Sequence, residues 1–425
     1  MNDYFSSAVN TIKEWVNIIS VKAKAVGDYP FGEGVQKMLE KAVSDAKNMG
    51  FEVVNYDNYI AEVIFGSGSD EDGLAVLCHL DTVPEGDLNK WNTNPFDAQI
   101  IDGYLYGRGV VDNKGPAVLC LYALKELKDS GFKPKRKIKL ILGLDEESGW
   151  QCIEHYNKVA VMPKEGFTPD GSFPIIYAEK GILHVEFSFD INSDKIISVH
   201  GGDTINMVCD LATCKLKNFT KEDLNVNGLE YIDGTIVAKG RTAHGSTPHI
   251  GDNAIGKILK FLAQNGYIDV SVYTSLFENG NLFIDVEDET GKLTFSPNVI
   301  RYENGVLKVK TDIRFPSTYK KEEIESILSK ISNYKVLSYN KPLLVEKEST
   351  LVKTLLNIYN EEYGVNEKPR AIGGGTYAKA LEKGVAFGFE RWGDSCCHVP
   401  NEKASISHLE KSYKIFKRAI EEMAK

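Results

Sequence analysis

AVLCHLDTVP, residues 75–84, joins an apolar run to a histidine and an aspartate two positions apart. Side chains alternate along a strand, so His79 and Asp81 share one face at a strand end. A shared face is what a metal-binding imidazole and its orienting carboxylate require. From these residues alone, a satisfied histidine beside a turn-forming Asp-Thr-Val-Pro reads equally well. The apolar run is clearer: it has the character of a strand buried on both faces.

Similar runs lie at 60–65 (IAEVIF) and 138–144 (IKLILGL). A helix over 115–128, opened by Gly115-Pro116, separates the runs at 74–80 and 138–144. Val35, Met38, Leu39, Ala42, Val43 and Ala46 mark an earlier amphipathic helix, and Val9, Ile12, Trp15, Val16 and Ile19 mark another. Buried strands separated by helices imply α/β class, an α/β/α layering around a mostly parallel sheet. After Gly181 the texture changes. LHVEFSFDI, GTIVAKGRTA and GVLKVKTDIRF predict strands with one polar face, and GDNAIGKILKFLAQNG and KKEEIESILSKI predict amphipathic helices. From residue 342 onward, STLVKTLLNIYNEEYG, GVAFGFE and a helix over 407–424 restore the α/β alternation. The expected organisation is an α/β domain made of 1–182 and 342–425, the part that carries most of the candidate site residues below. Inserted into it is an α+β domain, 183–341, with an antiparallel sheet and helices on one side. Clefts between such domains commonly hold ligands.

The 425 residues are 42% apolar and 26% charged, with a formal net charge of −10 and no long basic run. That balance argues against nucleic acid and anionic membrane surfaces as partners. No run approaches the ~18 apolar residues needed to span a bilayer, and the N-terminus lacks a signal-type apolar core. Seven cysteines (78, 120, 152, 209, 214, 396, 397) are scattered without CxxC spacing. They read as reduced thiols in a cytoplasmic protein.

Five segments place polar residues at strand ends or in loops: His79 and Asp81 in HLD, Asp112 in GRGVVDNKG, Glu146 and Glu147 in LDEESG, Asp170 in TPD, and His398 in CCHVPNE. Two imidazoles with several carboxylates suit Zn²⁺, Mn²⁺ or Co²⁺. One carboxylate shared by two ions makes a dinuclear site. Each residue also has an ordinary use. Asp112 reads as a helix N-cap, the Glu pair as a solvated loop end, Asp170 as a turn residue and His398 as an exposed loop histidine.

Together the segments resemble the dinuclear-zinc metallopeptidases and amidohydrolases that include carboxypeptidase G, aminoacylases and succinyl-diaminopimelate desuccinylase. GRGVVDNKGP followed by DEESG carries the likeness, and GFTPDGSFPIIYAEKG, GGDTINMVCD, AHGSTPHIGDNA, TDIRFP and GGGTYAKA narrow it to the dipeptidase V branch of intracellular dipeptidases. The resemblance covers nearly the whole chain. It implies two divalent ions per chain, zinc preferred, with manganese or cobalt as alternatives. It implies His79, Glu147, Asp170 and His398 as terminal ligands, with Asp112 bridging. Asp81 is then the carboxylate that holds His79, and Glu146 the general base acting on a bridging water. In the inserted domain, His244 would stabilise the oxyanion, Asn206 would bind beside it, and Arg314 would clamp a substrate carboxylate. Amides of the loop Gly373-Gly374-Gly375-Thr376 would assist that clamp. Read singly, His244 is equally a loop histidine, Asn206 a cap, Arg314 half of an ion pair, and the glycines a tight turn. The expected activity is hydrolysis of unblocked dipeptides by a monomer, with a homodimer as the alternative. The rival activities are N-acyl-amino-acid deacylation or desuccinylation, and non-catalytic peptide binding. Cys78 is expected in the core, and Cys396 and Cys397 have no assigned role.

Overall fold

The computed structural model describes residues 3–224, 228–393 and 396–425. Residues 225–227 fall in the stretch from Lys215 to Tyr231, where the sequence offers no motif, and lie outside the described residues. The chain separates into two compact units. One comprises Met1–Tyr177, Val345–Arg370 and Thr376–Lys425, and the other Ala178–Leu344 with Ala371–Gly375. The assignment of Ala371–Gly375 to the second unit does not follow from the sequence. Two bonds within that unit account for it: Lys180 N–H donates to Ile372 O at 3.2 Å, and Arg314 Nη1 to Gly373 O at 3.3 Å.

In the first unit four strands run parallel side by side, in the order Ile138–Gly143, Leu74–His79, Glu165–Thr168 and Lys383–Ala386. The first two are buried at every position, as their unbroken apolar runs require of strands covered on both faces. Antiparallel strands extend the sheet at both sides. Glu52–Tyr56 and Ile60–Phe65 form a hairpin beyond Ile138–Gly143, and Ile176–Glu179 pairs with Lys383–Ala386. The hairpin turn places Asp57 and Asn58 at φ 51° and 61°, a conformation these two residue types tolerate. Because parallel strands share one direction, their C-terminal ends deliver the following loops to the same edge.

The first helix, Asp3–Val16, buries Phe5, Ala8, Ile12, Trp15 and Val16. It stops short of Ile19, which is 54% exposed and not part of the apolar face expected from its spacing. The buried Lys114 ammonium explains the ending, since it donates to Trp15 O at 3.0 Å and Ile18 O at 2.6 Å, taking carbonyls at the end of the helix. No helix among the described residues is long and apolar enough to cross a membrane.

One polar network lies inside this sheet. Lys139 Nζ sits 3.1 Å from Glu62 Oε2, and the same carboxylate accepts from Tyr56 Oη at 2.8 Å and Tyr156 Oη at 2.7 Å. Breaking a buried pair leaves one charge uncompensated, at a cost of about 3–5 kcal/mol. Asp70, 3.4 Å from Lys139, partly replaces the lost charge. Glu62→Ala is therefore expected near the low end, about 3 kcal/mol less stable in urea denaturation. Glu62→Leu with Lys139→Met recovers most of that loss.

The second unit holds an eight-stranded sheet in the order Leu229–Ile232, Thr235–Lys239, Leu211–Leu216, Ile196–Gly201, Thr294–Glu303, Val306–Phe315, Gly181–Asp190 and Tyr334–Asn340, antiparallel throughout. Burial alternates along Gly181–Asp190, so one face is packed and the other is not. The buried face meets Ile255, Ile258, Leu259 and Leu262 of helix Ala254–Gln264 and Ile324 and Leu328 of helix Lys321–Leu328.

Candidate metal centre

All four parallel strands feed the site. His79 ends the first run, Glu146 and Glu147 follow Ile138–Gly143, Asp170 follows Glu165–Thr168, and the segment after Lys383–Ala386 leads to His398. Asp112 arrives from the loop before helix Lys114–Asp129. The N-cap position of that helix falls on Asn113, which leaves the Asp112 carboxylate to other contacts.

Asp112 lies between the two imidazoles. Its Oδ1 is 2.8 Å from His79 Nε2 and its Oδ2 is 2.9 Å from His398 Nε2. Asp170 Oδ1 is 3.8 Å from His79 Nε2, and Glu147 Oε1 is 3.1 Å from His398 Nε2. Donors about 2.0–2.2 Å from a tetrahedral ion stand about 3.3–3.5 Å from one another. The observed separations bracket that edge. His79, Asp112 and Asp170 accordingly form one compact donor set, and Asp112, Cys397 and His398 a second.

Electrostatics favours cations in the same place. Burial and the neighbouring carboxylates raise Glu146, Glu147 and Asp170 above the usual carboxylate range. Bonds to Asp112 and Glu147 raise His398. At His79, desolvation by burial opposes protonation, but the bonds to Asp112 and Asp170 outweigh it and raise the imidazole. Four acidic groups in one partly buried cluster favour nearby positive charge, which a divalent ion would supply without protonating them.

Asp81 meets both His79 and the loop of the Glu pair. His79 Nδ1 lies 3.0 Å from the Asp81 backbone carbonyl and 3.5 Å from its carboxylate, so the nearer partner is the main chain. With the proton on Nδ1, the Nε2 lone pair faces Asp112 and Asp170. The Asp81 carboxylate also accepts from the amides of Glu146 and Glu147, both at 3.1 Å. It thereby orients the acidic pair. Among the described residues no hydrogen bond reaches the Glu146 carboxylate, whereas Glu147 meets His398.

Three supporting residues escaped the sequence reading. Glu402 is fully buried and accepts from Arg108 Nη1 at 2.6 Å and from the amides of Gly109, Val111 and Asp112 at 3.0, 2.8 and 3.3 Å. Burial pushes its carboxyl up to about 7, against the pull of Arg108. This clamp fixes the loop that presents Asp112. Gly109, at φ +95°, lets the loop turn, and a side chain on Gly115 would strike Val110 O. Asn113 Nδ2 donates to Pro169 O at 2.9 Å, and Asn113 Oδ1 accepts from the His79 amide at 3.4 Å, tying the segments of His79, Asp112 and Asp170 together. Asp145, also buried, accepts from Lys22 Nζ and Ser148 Oγ at 2.6 Å and from the Gln151 amide at 3.0 Å, which shapes the Glu pair's loop. The signal for Glu402 lay in CCHVPNE, but only its partners reveal its use.

In the second unit Asn206, His244 and Arg314 come together. Gly245 N–H donates to Asn206 O at 2.7 Å, placing Asn206 beside His244. His244 Nδ1 is 2.7 Å from Ser246 Oγ, and its Nε2 is 3.4 Å from Arg314 Nη2. Arg314 is only 4% exposed, and its Nε and Nη2 reach buried Asp312 at 3.2–3.3 Å. The fork therefore holds Asp312, Gly373 and His244, leaving one Nη1 donor for another acceptor. Gly373, Gly374 and Gly375 belong to this unit. Thr376 opens the returning segment of the first, its hydroxyl accepting from the Ala378 amide at 3.2 Å. Cys78 is fully buried, as its strand position implies.

Residues 75–422 match the family described as Peptidase family M20/M25/M40. A Bacillus subtilis protein named "Putative dipeptidase YtjP" is 34% identical over 445 residues, which cover 96% of this chain and 95% of that protein. A Staphylococcus epidermidis "Putative dipeptidase" is 31% identical, covering 98% and 97%. Human carnosine dipeptidase 1 has the same fold, with a TM-score of 0.62, 17% identity, and 99% and 96% coverage. So does the dipeptidase Dug1p of Saccharomyces cerevisiae, at TM-score 0.61, 14% identity, and 99% and 96% coverage.

Proposed function

The chain belongs to peptidase family M20/M25/M40, and from that premise we propose that it is a metal-dependent dipeptidase acting on unblocked dipeptides. The observation that carries this reading is Asp112, with one oxygen toward each imidazole. His79, Asp112 and Asp170 would hold one divalent ion, and Asp112, Glu147 and His398 the other, with zinc preferred over manganese or cobalt. When bound, such ions supply Lewis acidity and a water acidified toward neutral pH.

The chain's own residues do the rest. His79 binds through Nε2 because Nδ1 faces the Asp81 carbonyl. Glu146 takes the proton of the attacking water on its carboxylate and returns it to the departing amine. No hydrogen bond among the described residues engages its carboxylate, which leaves it open to both transfers. The Glu pair thus divides its labour, Glu147 binding and Glu146 carrying the proton. His244 is proposed as the oxyanion donor, with Asn206 beside it. The unengaged Nη1 donor of Arg314, with the amides of Gly374, Gly375 and Thr376, is proposed for the substrate's C-terminal carboxylate. We propose a cytoplasmic monomer.

His244→Ala is expected to lower turnover about 10²–10³-fold, the usual loss for one oxyanion donor, with metal content unchanged. Steady-state kinetics with elemental analysis checks both. The substrate class is tested by comparing free dipeptides with N-acetyl- and N-succinyl-amino acids. Hydrolysis of the free dipeptides is expected. Turnover of the acylated compounds alone would replace the dipeptidase reading with a deacylase or desuccinylase. Metal and peptide binding without turnover of either class would leave a peptide-binding protein.

A further inference from the structure

Cys396 and Cys397 are adjacent in the loop that carries His398, yet they face different surroundings. Cys396 Sγ donates to Lys403 O at 3.2 Å, and its amide donates to Glu390 Oε1 at 2.9 Å. The Cys397 amide reaches the same Glu390 oxygen at 3.4 Å. Its thiol lies with the candidate centre: Cys397 Sγ, a carboxylate oxygen of Asp112 and an imidazole nitrogen of His398 are all within 4.8 Å of one another. Cys78, also next to a ligand in sequence, is fully buried in the core.

We propose that Cys397 is a thiolate ligand on the His398 side of the centre and sets its preference for thiophilic ions. This rests on Asp112 and His398 binding metal. A sulfur ligand stands about 2.3 Å from zinc and a nitrogen or oxygen about 2.0–2.2 Å, so a small shift of a partly buried loop residue brings all three donors to one ion. As the sulfur–metal bond forms, the thiol releases its proton to solvent, and no electron changes hands. Thiolate favours zinc and cobalt over manganese and magnesium, whereas a site of carboxylate and imidazole alone discriminates less. Cys397 thereby gives this chain a metal selectivity that its remaining ligands do not.

Cobalt(II) reports the bond directly, since cobalt–thiolate sites show intense charge-transfer absorption in the near ultraviolet and carboxylate–imidazole sites do not. The protein loaded with cobalt, its content measured by elemental analysis, is expected to show that band. Cys397→Ser is expected to abolish it and Cys396→Ser to keep it. In the unmutated protein, metal loading is expected to slow alkylation of Cys397 by iodoacetamide at least about tenfold, read by peptide mass spectrometry, and to leave Cys396 unchanged. Cobalt bound without the band, a band that survives Cys397→Ser, or unaltered Cys397 alkylation overturns the proposal alone. A protein that binds no cobalt or zinc overturns the metal centre, and the proposal with it.

Discussion

Replacing Glu146 by alanine is expected to leave metal content unchanged and to lower turnover by about 10³-fold, within the 10²–10⁴ that a positioned acid–base group contributes. The expectation follows from the contrast within the Glu pair. Glu147 stands 3.1 Å from His398, while among the described residues no hydrogen bond reaches the Glu146 carboxylate. Asp81 fixes both backbones through their amides, so the alanine variant keeps the loop in place. Loss of metal in Glu146→Ala would reverse the two roles. Full activity would remove Glu146 from the chemistry.

The second large effect is expected at Asp112. Its two oxygens face different histidines, and asparagine keeps the shape but presents one neutral acceptor in place of two anionic ones. Substitution of groups that only support a ligand typically costs 10–100-fold in metal affinity or activity. Asp112→Asn removes a ligand common to both donor sets, so metal affinity is expected to fall by more than about 100-fold, with fewer than two ions retained per chain. Zinc titration followed by elemental analysis measures this. Retention of two ions at unchanged affinity would show that Asp112 bridges nothing. The Glu402 clamp keeps the loop folded in the variant, so metal loss would not reflect local unfolding.

Much of the first unit was legible in the residues. LAVLCH and IKLILG are apolar at almost every position because both faces of those strands are covered, and this marks a parallel sheet. A polar residue directly after such a run lies at the sheet's edge, which is why His79, Glu146, Glu147 and Asp170 stood out. Ile19 misled for the opposite reason. Its spacing continues the helical face, but Lys114, distant in sequence, takes the carbonyls at which the helix ends. The Gly373 contact of Arg314 was equally out of reach, because it forms only when the inserted sheet and the 371–375 segment pack together, whereas Asp312 is its same-face neighbour two residues back on one strand.

The linear order of residues settled the kinds of donor present and the strand ends that carry them, since periodicity and burial are local properties. Which donor meets which was decided by packing alone. Asp112 turns one oxygen to His79 and the other to His398, and Glu402 reaches back 290 positions to the Asp112 amide. Such pairings depend on strand order and loop approach, which no local pattern encodes: the resemblance names Asp112, but its approach to both imidazoles is a tertiary fact.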